Sequence, residues 1–540
     1  MSSAERTVEG IGQAAVQPPH REAAPLTPCR TERSPKENVM AMANSGGVDQ
    51  RVGLDARLLI GGELVPAEGN ATFDNVDPYS EKVLGGAPDA STADAEHAVA
   101  AARAAFDDGA WAADPAFRAR CLRQLQQAAR KAVERFRAVL VAEVGCPIVM
   151  TRDLQLETTT EEIEYWAGLA EGYPYRTWLD PVTTAAGVSD RLVIRDPVGV
   201  VTAITPYNYP YQQIMLKLGP ALAAGNCVIL KPSPLTPWTA NLFAQLVAEE
   251  TDIPAGVVNV LTGSSDELGR FLVADPRVDM VTFTGSTAVG RMIAASAGQT
   301  AKNVVMELGG KSANILLDDA DIAAGVRANV LRMSRHAGQG CSNLTRLLLP
   351  RSRYEEGLEV AAEAAAAVPW GDPSDPTTHM GPLISDAQRD KVLGHIERGI
   401  ADGARLVAGG RRPDAPHGYF VEATVLADVH PDSYVAQEEA FGPVLAVIPY
   451  SDDDEAVAIA NNSRYGLAGA VSSASPQRAF EVAQRIRTAI VDTNGAKYYG
   501  VDTPRGGMRE SGVGDEYGVG GFESFTEARV ISAPAGAIRH

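Results

Sequence analysis

At 540 residues the chain is long enough for two or more domains with ample cores. Its 45% hydrophobic and 21% charged content is that of a soluble globular protein, and a formal net charge of -20 argues against nucleic acid and anionic membrane as partners. Cys29, Cys121, Cys146, Cys227 and Cys341 are few, odd in number and widely spaced, which points to free thiols in a reducing, cytoplasmic setting and not to a disulfide framework.

No cysteine or histidine pair has metal-ligand spacing, so no metal site is expected, and no apolar run reaches transmembrane length. Residues 1–50 lack an apolar period and are expected to be a disordered tail. They also lack the apolar segment of a secretory signal, and Glu5, Glu9, Glu22, Glu32 and Glu37 are out of keeping with a mitochondrial presequence. Folding is expected to begin at Leu58-Leu59-Ile60-Gly61-Gly62, a short strand and turn. A second strand follows at Phe73 to Val76, ended by Asp77-Pro78. A helix capped at Ser91 or Thr92 runs to Gly109. Another covers about 116–140, with Leu122, Leu125, Ala129, Val133 and Phe136 on one face.

From Val198 the period changes. Val198 to Thr205 is a continuous apolar run with β-branched bias, as in a strand buried on both faces. Strand-like runs at Cys227–Leu230, Val257–Leu261 and Val278–Thr284 alternate with helical segments, the pattern of a parallel α/β sheet. The alternation resumes after Gly309-Gly310 with Ile315–Leu317, a helix from Asp321, Arg346–Leu349 and a helix past Glu355. It continues with Val444–Ile448, a helix from Asp453, Leu467–Val471 and a helix near Pro476. The expected class is α/β with two parallel-sheet domains, and Leu179 to Pro197 reads as a β-hairpin that leaves the first.

Several chemically suggestive residues fall at the C-terminal ends of these strands, where such sheets bind ligands. Gly338-Gln339-Gly340-Cys341-Ser342-Asn343 presents one thiol among small and polar residues. Thr205-Pro206-Tyr207-Asn208-Tyr209-Pro210 places an amide able to donate to an oxyanion. Thr284-Gly285-Ser286 opens a helix, a place for a phosphate, although its GxxxxG spacing is not the usual dinucleotide fingerprint. Glu307 ends an apolar strand beside Leu308-Gly309-Gly310, where burial would tune it toward a general base. Lys231 sits before Pro232-Ser233-Pro234 at another strand end.

With these blocks in order (TPYNYP, GPALAAGN, KPSP, FTGSTAVG, ELGGKSAN, GQGCSNLTR, EEAFGPV, GGMRESGVG), the chain from about residue 58 to 530 resembles the aldehyde dehydrogenase superfamily, of the NAD(P)-dependent hydrolytic type. The resemblance implies that Cys341 attacks the aldehyde, that Asn208 and the Cys341 backbone N–H hold the oxyanion, and that Glu307 activates water to hydrolyse a thioester. Lys217 and Glu516 match a proton-relay pair behind Glu307. Lys231, Ser286, Glu439 and Phe441 match contacts to the adenosine ribose, pyrophosphate, nicotinamide ribose and nicotinamide face, and Thr205, Pro206, Ser233, Gly263, Gly285 and Leu308 complete the cofactor set. Tyr207, Tyr209, Gln212, Gln213, Tyr498 and Tyr499 match the substrate tunnel, with Arg505 expected near its mouth.

The implied layout is a Rossmann-like dinucleotide-binding domain from 51–178 and 198–309, a catalytic domain from 310–511, and an oligomerisation arm from 179–197 and 522–540. A homodimer or homotetramer acting on a small-molecule aldehyde is implied with it. Three departures stand out. Pro234 replaces a carboxylate common in NAD-using members, so NADP stays open beside NAD as cofactor. Pro504-Arg505-Gly506-Gly507 replaces PFGG, and Tyr207 replaces the usual aromatic of PWN. A CoA-acylating semialdehyde dehydrogenase fits less well, because Glu307 would hydrolyse the thioester. A catalytically silent binding protein fits poorly with Cys341, Glu307 and Asn208 all present.

Overall fold

The computed structural model describes residues 53–496 and 500–537. The expected N-terminal tail lies outside these, as do Cys29, Tyr498 and Tyr499. Among the described residues the cysteines are free thiols, and no helix is long and apolar enough to cross a membrane.

An eight-stranded sheet carries the first half of the chain. Its order is Glu63–Val65, Leu58–Ile60, Val258–Val260, Cys227–Lys231, Val200–Ile204, Met280–Thr284, Asn303–Glu307 and Gly512–Val513. The five strands from Val258–Val260 to Asn303–Glu307 are parallel, and the flanking ones antiparallel. Cys227–Lys231 and Met280–Thr284 are buried along their whole length, which is why they read as unbroken apolar runs. From Val200–Ile204 the chain builds outward through Cys227–Lys231 to Val258–Val260. It then returns to the other side of Val200–Ile204 for Met280–Thr284. The reversal opens a crevice between the C-terminal ends of Val200–Ile204 and Met280–Thr284, the position where open α/β sheets take a ligand.

The chain passes over residues 308–311 into a seven-stranded sheet. Its order is Arg405–Ala408, Thr424–Ala427, Val444–Tyr450, Leu344–Pro350, Ser312–Leu316, Ala468–Ser472 and Ile490–Thr493, parallel except for the first pair. Each sheet has its own apolar core. A third sheet is antiparallel, with Gly187–Pro197 between Arg176–Thr184 and Thr526–Pro534.

Two local expectations need correction. The helix expected over 116–140 is two, Pro115–Lys131 and Val133–Val144, broken at Ala132 (φ −91°, ψ 8°). No glycine or proline marks the break and the apolar spacing runs across it, so no local signal announces it. Residues 522–525, assigned to the arm, belong elsewhere: the helix Gly518–Glu523 ends there, and Phe522 and Phe525 are buried in the first core. The helices Glu157–Gly172 and Asp386–Ala401 and the strands Arg405–Ala408 and Thr424–Ala427 were not anticipated.

Candidate active site

A cavity of about 400 Å³ opens where the two sheets' loops meet. It is lined by Thr205, Pro206, Tyr207, Asn208, Tyr209, Gln212, Gln213, Lys231, Ser233, Gly285, Ser286, Leu308, Cys341, Glu439, Phe441 and Arg505, sixteen of the residues singled out above. Gly263 is not among them; it packs against Leu268 and Ala90.

The loop carrying Cys341 is built by an unusual backbone. After the helix Ile322–Ser334, His336, Ala337 and Gly338 are all left-handed (φ 54°, 51° and 75°). Two non-glycine residues in that region cost about 1 kcal/mol or more each, so the surroundings must hold them. His336 is buried with Nε2 2.8 Å from Asn208 O, and burial drives its pKa down to about 4, which keeps the ring neutral. Gln339 donates to His336 O (3.2 Å) and Pro382 O (3.3 Å), and accepts from Ile384 N (3.0 Å). Asn208 Nδ2 donates to Gln339 O at 2.9 Å. At Gly338 a Cβ would collide with the Gly442 backbone, so only glycine fits there. The result is a fixed Cys341, partly exposed to the cavity.

Glu307, the last residue of its strand, is 1% exposed, and neither carboxylate oxygen has a hydrogen-bond partner. Burial raises its pKa, Arg505 opposes the rise, and Glu516 adds to it. Arg505 is not at the mouth of the cavity as expected. It is 4% exposed, with Nη2 3.5 Å from Cys341 Sγ and 3.8 Å from Glu307 Oε2. The loop before Gly512–Val513 folds back along the first sheet, and this drives the guanidinium inward. Burial raises the Cys341 thiol, and Arg505 is the chief group pulling it down. Lys217 and Glu516 form a buried pair at 2.6 Å, with Lys217 also donating to Thr282 (3.2 Å) and Thr284 (2.8 Å). Thr284 is the register partner of Glu307, so the pair adjoins the carboxylate's strand position.

On the crevice side, Ser286 caps the helix Thr287–Ala297 by accepting from Val289 N at 3.3 Å. Lys231 is buried, which lowers its pKa, and Thr205 Oγ1 is buried without a protein partner. Glu439 accepts from Gly310 N at 3.1 Å, and burial raises it to about 7. A Cβ at Gly309 would stand 2.6 Å from Glu439 Oε2, which explains the glycine there. Tyr207 packs edge-on to Phe441 with ring centroids 6.0 Å apart.

Residues outside any motif also take part. Gln155 Nε2 donates to Asn208 O at 2.8 Å and so shares the anchor of the oxyanion-side amide. Arg335, paired to Asp153 at 3.0 Å, lines the cavity with it. The only available signal was position: Arg335 and His336 lie one residue, Ala337, ahead of GQGC. Gln155 and Asp153 sit in a segment with no pattern at all.

The sequence model of the aldehyde dehydrogenase family matches residues 64–531. A 3-succinoylsemialdehyde-pyridine dehydrogenase from a Pseudomonas species is 38% identical over 480 residues, covering 88% of this chain and 98% of the relative. A geranial dehydrogenase from Castellaniella defragrans is 39% identical, with 88% and 98% covered. The crystal structure of a Mycobacterium tuberculosis aldehyde dehydrogenase complexed with NAD+ superposes with a TM-score of 0.85 at 40% identity, covering 90% of this chain and 99% of that one. With a family match over that span and relatives this similar along nearly their full lengths, the chain belongs to the aldehyde dehydrogenase family.

Proposed function

We propose that the enzyme oxidises an aldehyde to its carboxylic acid with NAD+, through a thioester on Cys341. The observation that carries this is that Cys341 and Asn208 line one cavity at the sheet's reversal point, while Glu307 lies behind its wall, 3.8 Å from the Arg505 guanidinium that also stands 3.5 Å from Cys341 Sγ. Cys341 Sγ adds to the carbonyl carbon. One N–H of the Asn208 amide is used on Gln339 O, leaving its second for the developing oxyanion. Glu307, buried and without a hydrogen-bond partner, is the base for the hydrolytic water. Lys217 and Glu516 are the route by which its proton is exchanged.

The crevice fits a dinucleotide. It offers a helix N-terminus at Ser286 for the pyrophosphate, Lys231 and Ser233 for the adenosine ribose, and the unpartnered Thr205 Oγ1. Glu439 and Phe441 would hold the nicotinamide ribose and ring, and the bound nicotinamide supplies a hydride acceptor. Lys231 is the one cation among the crevice residues Lys231 to Pro234, too little to grip a 2′-phosphate as well. NAD+ is expected to exceed NADP+ by about tenfold or more in kcat/KM. The assay is NADH formation with an aldehyde, with and without CoA. A rate that requires CoA, or a preference for NADP+, would refute this reading.

The substrate side of the cavity is polar. Gln212 and Gln213 are buried there, and one end of each amide has no protein partner. Arg335 and Asp153 lie on the same wall. A buried amide left unpaired costs about 1–3 kcal/mol, so a plain alkyl chain is a poor occupant. Aromatic or polar-substituted aldehydes are expected to show about fivefold or higher kcat/KM than aliphatic ones of equal size. Equal values for hexanal and benzaldehyde would count against it.

The three-stranded sheet leaves Val530 and Val188 60% and 45% exposed, and its outer strand Arg176–Thr184 has an open edge. Exposed apolar residues beside an unpaired edge favour pairing of copies. A homodimer or homotetramer is expected, and a monomeric mass by light scattering at micromolar protein would rule it out.

A further inference from the structure

We propose that Arg505 is a catalytic residue, one buried guanidinium that serves as counter-ion first to the Cys341 thiolate and then, once the sulfur is acylated, to the Glu307 carboxylate. The inference rests on the thioester reading above. Its basis is that the same Nη2 lies 3.5 Å from Cys341 Sγ and 3.8 Å from Glu307 Oε2, in a side chain 4% exposed.

The local charges favour the sharing. Lys217 and Glu516 neutralise each other at 2.6 Å. Arg505 is then the cation within 4 Å of both the thiol and the carboxyl. Two anions beside one cation in a dry site are strongly disfavoured, so the pair releases its protons in two separated steps. The other ionisable groups acting on the pair are Glu439 and Asp515, with Glu162, hydrogen-bonded to Tyr517 at 3.2 Å, acting on Arg505 itself. All three are acidic, so Arg505 is the cation that favours ionisation of the thiol.

The proton leaving Sγ is held by Glu307. The thiolate pair forms the C–S bond while the carbonyl π pair moves to oxygen. Loss of hydride, for which a bound nicotinamide would be the acceptor, re-forms the C=O bond and leaves the sulfur as a neutral thioester. With the sulfur neutral, Glu307 is the one member of the pair that can be an anion beside Arg505, so it loses its proton to solvent and can take one from the attacking water. Hydrolysis returns the acid and the thiol. Arg505 is kept in place by its backbone: Glu516 N donates to Arg505 O at 2.7 Å, and Gly506 bridges to Asp515.

The test is carbamidomethylation of Cys341 by iodoacetamide across a pH series without aldehyde, read by mass on the Cys341 peptide. Arg505→Met is expected to raise the half-point by about one pH unit or more, the shift typical of losing an adjacent opposite charge. Arg505→Lys is expected to restore at least half of that shift. Glu307→Gln is expected to lower the half-point in the native background, because the competitor for the guanidinium is gone, and to leave it unmoved beside Arg505→Met. Native half-points in both Arg505 variants overturn the proposal. Should Arg505→Met fail to fold, a native half-point in Glu307→Gln overturns it alone. Failure of the thioester reading shows elsewhere, as turnover by an enzyme whose Cys341 has been replaced.

Discussion

Cys341→Ala is expected to reduce aldehyde oxidation by about 10⁴-fold or more, the scale seen when a covalent nucleophile is removed. Binding of NAD+ should stay within about twofold of native, because the cofactor crevice is formed by Thr205, Lys231, Ser286 and their neighbours on other loops. The fold should also persist. Cys341 is partly exposed to the cavity, and the strained turn that presents it is held by His336, Gln339 and Gly338, not by the thiol. Calorimetric titration with NAD+ and steady-state turnover measure the two halves. Substantial turnover in the variant would mean that the covalent route is wrong.

Glu307→Gln is the second large effect. Steady-state turnover is expected to fall by about 10² to 10⁴-fold, the range for loss of a general base. The first turnover should survive, so rapid mixing should show an NADH burst followed by a slow phase. Absence of the burst, with hydride transfer itself limiting, would contradict the assignment. The native enzyme carries a related pH signature. Burial raises the Glu307 pKa, and hydrolysis needs the carboxylate. Deacylation should therefore decline as pH falls through a value above the ordinary carboxylate range of about 4.3. In Glu307→Gln that limb should vanish from the slow phase. Arg505 works against the shift, so replacing it by methionine should move the limb to still higher pH.

These two residues were legible because their chemistry and their local setting coincide. A thiol among glycines and a carboxylate at the end of an apolar strand are visible in a string of letters, and so were Asn208 and Ser286. Most strands were legible for the same reason. Val200–Ile204, Cys227–Lys231 and Met280–Thr284 are covered on both faces, so burial writes itself into all their positions but Ile204. The ordered blocks from TPYNYP to GGMRESGVG carried the family.

Tertiary structure alone decided what depends on contacts between distant segments. The break at Ala132 has no glycine, proline or change of period to announce it. Helix Glu157–Gly172 and the Gln155 that anchors Asn208 become meaningful only when packed 53 residues away from their partner. Arg505 is the clearest case. A lone arginine in a glycine-rich loop reads most simply as a surface or subunit-interface salt bridge, and the family resemblance puts it only near the cavity mouth. Its burial follows from the loop's return along Asn303–Glu307, where Gly512 pairs with Glu307. An arginine 164 residues after the cysteine thereby comes within 3.5 Å of its sulfur. Local sequence determines which groups can do chemistry, because side-chain type and burial period are local properties. Which charge neutralises which is set by through-space distance, and only the folded chain fixes that.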